Sequence, residues 1–144
     1  MAMLRVAVQP PSRCDQGGSR TPVVIEADPQ PESATTVVVA SLYVTGTHED
    51  GRRAWHAPDE VSSKLCGSAV LPLQPDGSAR FDDLRVAMTS RALRNSRSVL
   101  DLRLADPHFC FGFRLAADGE AADSSGAEGV VYSFPFTVQV GHGY

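Results

Sequence analysis

Phe109-Cys110-Phe111-Gly112-Phe113-Arg114-Leu115 is the stretch on which the fold turns. Four large apolar side chains alternate with cysteine, glycine and arginine. That is the period of two expected of a strand with one face in a core. Upstream, Thr35 to Val44 (TTVVVASLYV) is rich in β-branched residues and apolar on both faces, as a central strand would be. Outward from these two the same period recurs. Leu4, Val6 and Val8 alternate until Pro10-Pro11, and Val23-Val24-Ile25 follows Thr21-Pro22 and gives way to an acidic stretch from Glu26 to Ser33. Leu65 to Leu73 leads through the turn Gln74-Pro75-Asp76-Gly77 to a returning strand from Ser78 to Met88, which predicts a hairpin. Arg97 to Ala105 alternates, and Val130 to Val140 stacks Val130, Tyr132, Phe134, Phe136, Val138 and Val140 on one face.

Helical signals are confined to Met88 to Asn95 (MTSRALRN), while residues 52 to 64, including Trp55, show no period and read as a long connection. Strands separated by turns, without βαβ spacing, predict an all-β fold. It is a two-sheet antiparallel sandwich of immunoglobulin type, with about seven to nine strands and at most one short helix. One domain is expected over 1–144, with a mobile acidic loop expected over 116–129. Phe81, Leu84, Leu102, Phe111, Phe113, Phe134 and Phe136 are the expected core. Trp55 is either a core plug or an exposed contact for a partner.

Composition bounds the function. The chain has 144 residues, 42% hydrophobic and 21% charged, enough for one core. A net charge of −4 gives no overall pull toward nucleic acid or anionic membrane, and no apolar run approaches a membrane span. Three cysteines (Cys14, Cys66, Cys110) and an N-terminus without a signal-like apolar segment predict a reduced, intracellular protein, nuclear or cytoplasmic. Cys14 reads as an ordinary loop cysteine or as a redox-sensitive one.

Chemistry-bearing motifs are sparse. The four histidines share no metal-ligand spacing with the cysteines, so no metal and no cofactor is expected. Gly17-Gly18 lacks the setting of a phosphate-binding loop, and no serine lies in a nucleophile elbow. Asp82 and Asp83, adjacent on a strand, diverge and cannot act as an acid–base pair, so a structural turn or bulge is expected of them. No enzyme and no small-molecule substrate are expected.

Twelve of the thirteen basic residues are arginine, with Lys64 the exception. Codon bias in a GC-rich genome explains this better than recognition of phosphate does. Their distribution says more. Between residues 80 and 103, six arginines face three aspartates, and the first loop adds Arg13 and Arg20.

Three pieces of sequence share an order with a known family. They are Leu4 to Cys14 with the Gly17-Gly18-Ser19-Arg20-Thr21-Pro22-Val23-Val24 continuation, Leu65-Cys66-Gly67 set against Phe81-Asp82-Asp83-Leu84-Arg85-Val86, and Ser133-Phe134-Pro135-Phe136-Thr137-Val138. With Ala40-Ser41-Leu42 between them, they resemble the velvet domain, a fungal regulatory domain whose fold is similar to the Rel-homology region. The stretch Ala79 to Arg85 is also similar to a strand of Runt domains. The opening loop is shorter than in velvet sequences and lacks their Lys-Asp-Arg-Arg run, and Met88 to Ser98 replaces a Gly-x-Tyr-x-Leu entry. The resemblance implies a transcription regulator gripping DNA through loops at one sandwich end, with a sister domain as a dimer partner. On this expectation Arg13, Arg20, Arg91, Arg94 and Arg97 form a phosphate-facing patch. The alternatives are solvated surface arginines on a protein-interaction module without DNA binding, or an immunoglobulin-like repeat cut from a longer chain.

Overall fold

The structure is a computed structural model that describes residues 3–10, 13–15, 23–28, 36–117 and 130–139. In chain order its elements are β1 (Met3–Val8), β2 (Arg13–Asp15), β3 (Val23–Asp28), β4 (Thr36–Thr47) and β5 (Arg53–His56). There follow α1 (Asp59–Ser62), β6 (Leu65–Cys66), β7 (Val70–Pro72), β8 (Ser78–Phe81) and β9 (Arg85–Val86). Last come α2 (Ser90–Asn95), α3 (Arg97–Leu102), β10 (Ala105–Ala117), β11 (Val131–Tyr132) and β12 (Thr137–Gln139). The class is all-β, as the alternation predicts, with three short helices in place of the one expected.

β4 and β10 are the spine. They pair antiparallel from Thr36–Ala117 to Thr47–Ala105, with β11 on the far side of β10 and both β5 and β7 on the far side of β4. Directly opposed residues share a face, so Val38, Ala40, Leu42 and Val44 lie with Leu115, Phe113, Phe111 and Phe109 on the inner side. A second sheet, in the order β1-β3-β8, brings Leu4, Val23, Ile25, Ala79 and Phe81 against them. Phe81 and Phe113 meet across the layers at 5.3 Å between ring centroids, and Phe111 meets Phe136 at 4.8 Å. The two sheets form a β-sandwich. Smaller pairings, β6 with β9 and a parallel β2 with β12, close its margins.

Several sequence expectations change. Arg97 to Ala105 is not a strand: Leu93, Ser96 and Val99 are buried at three-residue spacing, with Leu102 half-buried next in line. That spacing is helical, and it leaves Leu100 57% exposed. Thr89 caps α2, its Oγ1 accepting from Ala92 N at 3.1 Å. Ser98 Oγ of α3 donates to Glu60 of α1 at 2.9 Å, joining two helices. Residues 52 to 64 are not an irregular connection either. They supply β5 and α1, and Trp55 stands opposite Thr45 in β4.

The turn at Gln74 to Gly77 forms, but not as the hinge of a hairpin. Gly77 N donates to Gln74 O at 2.8 Å with Gly77 at φ 82°, and the Asp76 carboxylate accepts from Ser78 N and Oγ. These bonds hold the Asp76 carboxyl below its ordinary range. Before the turn β7 joins β4 and after it β8 joins β3, so the turn passes the chain between sheets. The returning segment is split by Asp82-Asp83. Phe134, expected in the core, is 66% exposed, because Ser133 to Pro135 interrupt the last strand and Ser133 binds back to Phe111. β10 takes in residues 116 and 117, and 118–129 of the expected acidic loop lie outside the described residues.

The structural reading of Asp83 holds. Its carboxylate accepts from Ser68 N at 3.1 and 3.2 Å, bracing β6 against β9. Gly67 beside it has φ 103°, and a Cβ there would lie 2.2 Å from the Asp83 carbonyl oxygen. Gly67→Ala therefore meets both a disfavoured backbone conformation and immovable backbone. It is expected to cost at least about 2 kcal/mol of stability, read by urea unfolding, while Ser68→Ala stays near wild type.

Candidate nucleic-acid interface

Arg13 enters the structure through β2, whose parallel pairing sets it opposite Thr137 of β12. Arg91 and Arg94 ride on α2, exposed, while Ser90 and Leu93 on the same helix are buried. One hydrogen bond fastens helix to strand: the buried Val138 N donates to Ser90 Oγ at 2.8 Å. Between these elements lies a cleft of about 440 Å³, lined by Arg13, Thr89, Ser90, Arg91, Arg94, Thr137, Val138 and Gln139. No carboxylate is among those residues. Three guanidinium groups thus face one concavity, each a rigid, permanently charged donor fork suited to phosphate oxygens.

A second cleft, of about 470 Å³, shares Arg13 and Thr137 with the first and adds Arg53, His108, Thr47, Asp106, Pro135 and Phe136. His108 Nδ1 donates to the Asp106 carbonyl at 2.8 Å, because a carbonyl can only accept. The neutral ring therefore keeps Nε2 as its acceptor. Asp106 has φ 50° within the bulge that shifts the β10–β4 register between Ala105 and His108. Bulges and left-handed residues of this kind re-aim side chains at strand ends. Among the described residues, no carboxylate lies within ion-pair distance of Arg13, Arg53, Arg91 or Arg94.

Of the five arginines expected to converge, the structure gathers Arg13, Arg91 and Arg94. Arg97 is not with them: it points along α3 toward Asp101, 4.0 Å away on an exposed face, and lines neither cleft. The extra helix accounts for this, since four residues bring Arg97 over Asp101 on one helical face. Arg20 lies outside the described residues. Sequence reasoning missed Arg53 and His108. The only available signal was the alternation of Arg53 and Trp55 with Ala54 and His56, too short to read as a strand.

Beyond Arg53 the outer face of the large sheet is aromatic. Trp55, 40% exposed, stacks on Tyr132 with centroids 4.6 Å apart and planes 11° from parallel. Tyr43 meets the edge of Tyr132 at 5.1 Å. Gly112 makes room for it, since a Cβ there would lie 2.4 Å from the Tyr43 ring. Beneath these rings Cys110 is fully buried, and burial pushes its thiol up to about 12. A raised value keeps the thiol protonated, leaving about one in ten thousand ionised at pH 8. Iodoacetamide at that pH is expected to spare Cys110 in the folded protein and to label it only after unfolding, whereas half-exposed Cys66 reacts before it. Peptide mass spectrometry reads the order.

Among the described residues, no helix is long and apolar enough to cross a membrane, and no cluster of His, Cys, Asp and Glu could hold a metal ion. Comparison with protein-family models, with curated proteins and with solved structures finds no match to this chain.

Proposed function

We propose that this chain is a velvet- or Rel-like regulatory domain of immunoglobulin type that binds DNA through arginines at one margin of its sandwich. One observation carries the reading: Arg13 and, 78 or more residues further along the chain, Arg91 and Arg94 line a single cleft with no carboxylate among its described lining residues, in a chain of net charge −4. An acidic protein that concentrates arginines at one place has a local field opposite to its total charge. The order of the velvet-like sequence pieces and the sandwich class support the same reading. So does the absence of catalytic spacing in the sequence. A domain acting in this way works in the nucleus, in the cytoplasm or in both, alone or beside a sister domain.

A second reading, a protein-interaction module, is favoured by the exposed Phe134 and Trp55. Fluorescence anisotropy with labelled duplex DNA over a salt series separates the two. Phosphate contacts predict affinity that falls with salt, each contact adding about 0.9 to the logarithmic slope. No binding at low salt, or binding indifferent to salt, overturns the DNA reading.

A further inference from the structure

We propose that the aromatic surface beside the arginine clefts is a stacking platform for an unpaired base, and that the preferred ligand is single-stranded nucleic acid. This deepens the DNA reading above and rests on it. A third cleft, of about 310 Å³, is walled by Arg53, Trp55, Tyr132, Phe134 and Pro135 together with Thr45 and Ser133. It shares Arg53 and Pro135 with the second cleft, which in turn shares Arg13 and Thr137 with the first. The three clefts adjoin through these shared residues, with Asp106 the one carboxylate among their described lining residues. The track they make begins at Arg91 and Arg94, passes Arg13, then Arg53 and His108, and ends on exposed rings.

A cationic track that ends on aromatic faces matches a strand whose phosphates are continuous and whose bases are free to splay. Base–aromatic stacking tolerates any sequence, because every base has a π-face. A duplex can use the arginines but cannot present a base face to the rings without unpairing. Trp55 already has one face on Tyr132, which fixes its plane and leaves the opposite face for a base. Phe134 is 66% exposed at the rim, a position that costs solvation unless something covers it. Arg53, 3.4 Å from Thr45 Oγ1, lines both the aromatic cleft and the one that holds Arg13.

Trp55 is the sole tryptophan, so fluorescence excited selectively at tryptophan reports this surface alone. Titrating the full chain with a short oligothymidylate is expected to quench it, and the same duplex-forming sequence, once annealed, is expected to quench far less. Phe134→Ala removes an exposed ring and leaves the core intact. It is expected to weaken single-strand binding about tenfold and duplex binding less than twofold. Unchanged single-strand affinity in Phe134→Ala, or no quenching at saturation, overturns the platform while arginine-dependent duplex binding leaves the DNA reading standing. Loss of a protein dimer in Phe134→Ala by sedimentation assigns the rings to a protein interface and also overturns it. Failure of both nucleic acids to bind at low salt removes the DNA reading and the platform together.

Discussion

Exchanging Arg13, Arg91 and Arg94 together for glutamine is expected to flatten the salt dependence of duplex binding. Three phosphate contacts released as counterion exchange give a logarithmic slope of about −2.7, so wild-type affinity falls about 40-fold between 50 and 200 mM salt. The triple variant loses those contacts, and its affinity is expected to change less than about fourfold across the same range, the fall that a single remaining contact gives. Glutamine keeps much of the length and hydrogen-bonding capacity, so the difference reports charge. All three side chains are exposed, and none forms an ion pair among the described residues, so the fold is expected to survive, as circular dichroism would show. Arg97→Gln is the internal control. Its partner is Asp101 on its own helix, and its removal is expected to leave the slope unchanged. A triple variant with the wild-type slope would place the phosphates elsewhere.

Phe111→Ala is expected to bring the largest loss of stability. The ring is fully buried, lies against Phe136 and Phe113, and faces Leu42 across the central strand pair. Its backbone is also held, with Phe111 N donating to Ser133 Oγ and Ser133 N donating to Phe111 O, at 2.9 and 2.8 Å. Those bonds keep the strand in place when the ring is cut back, so the core cannot collapse into the space. Truncation of a buried phenylalanine costs about 3–5 kcal/mol under such conditions, against a total stability of about 5–15 kcal/mol. Urea unfolding followed by circular dichroism should show the midpoint shift with little change of slope. A loss below about 1 kcal/mol would mean that the inner layer is not packed as described.

The strands that read most clearly in the sequence are those whose burial is one-sided and long. Phe109 to Leu115 alternates because one face meets the second sheet, and Val37 to Val44 carries apolar residues on both faces because both are covered. Asp83 was legible as a structural acid because adjacent carboxylates on a strand diverge. The errors share a cause as well. In Arg97 to Ala105, leucines at 100, 102 and 104 fit a period of two, while 93, 96, 99 and 102 fit a period of three, and only packing chooses between them. β5 carries one large apolar residue in four, and its pairing with β4 supplies the order that its own pattern does not. Phe134 looked like the next step of an alternation that Ser133 and Pro135 had already broken.

For the candidate site the division is similar. Arg13, Arg91 and Arg94 were legible as arginines flanking short loops, because local charge density survives in a linear reading. Their meeting was not, since it depends on β2 pairing with β12 and on Ser90 anchoring α2 to that strand. From the order of residues alone came an all-β chain, its principal core phenylalanines and an excess of arginine near residues 80 to 103. These are properties of local period and composition, which act over a few residues. Tertiary structure alone decided which arginines share a cleft, that Arg97 turns to Asp101, and that Arg53, His108 and Trp55 extend the track. Each of those depends on contacts between residues far apart in the chain, where hydrogen-bond register and burial, not local preference, set position.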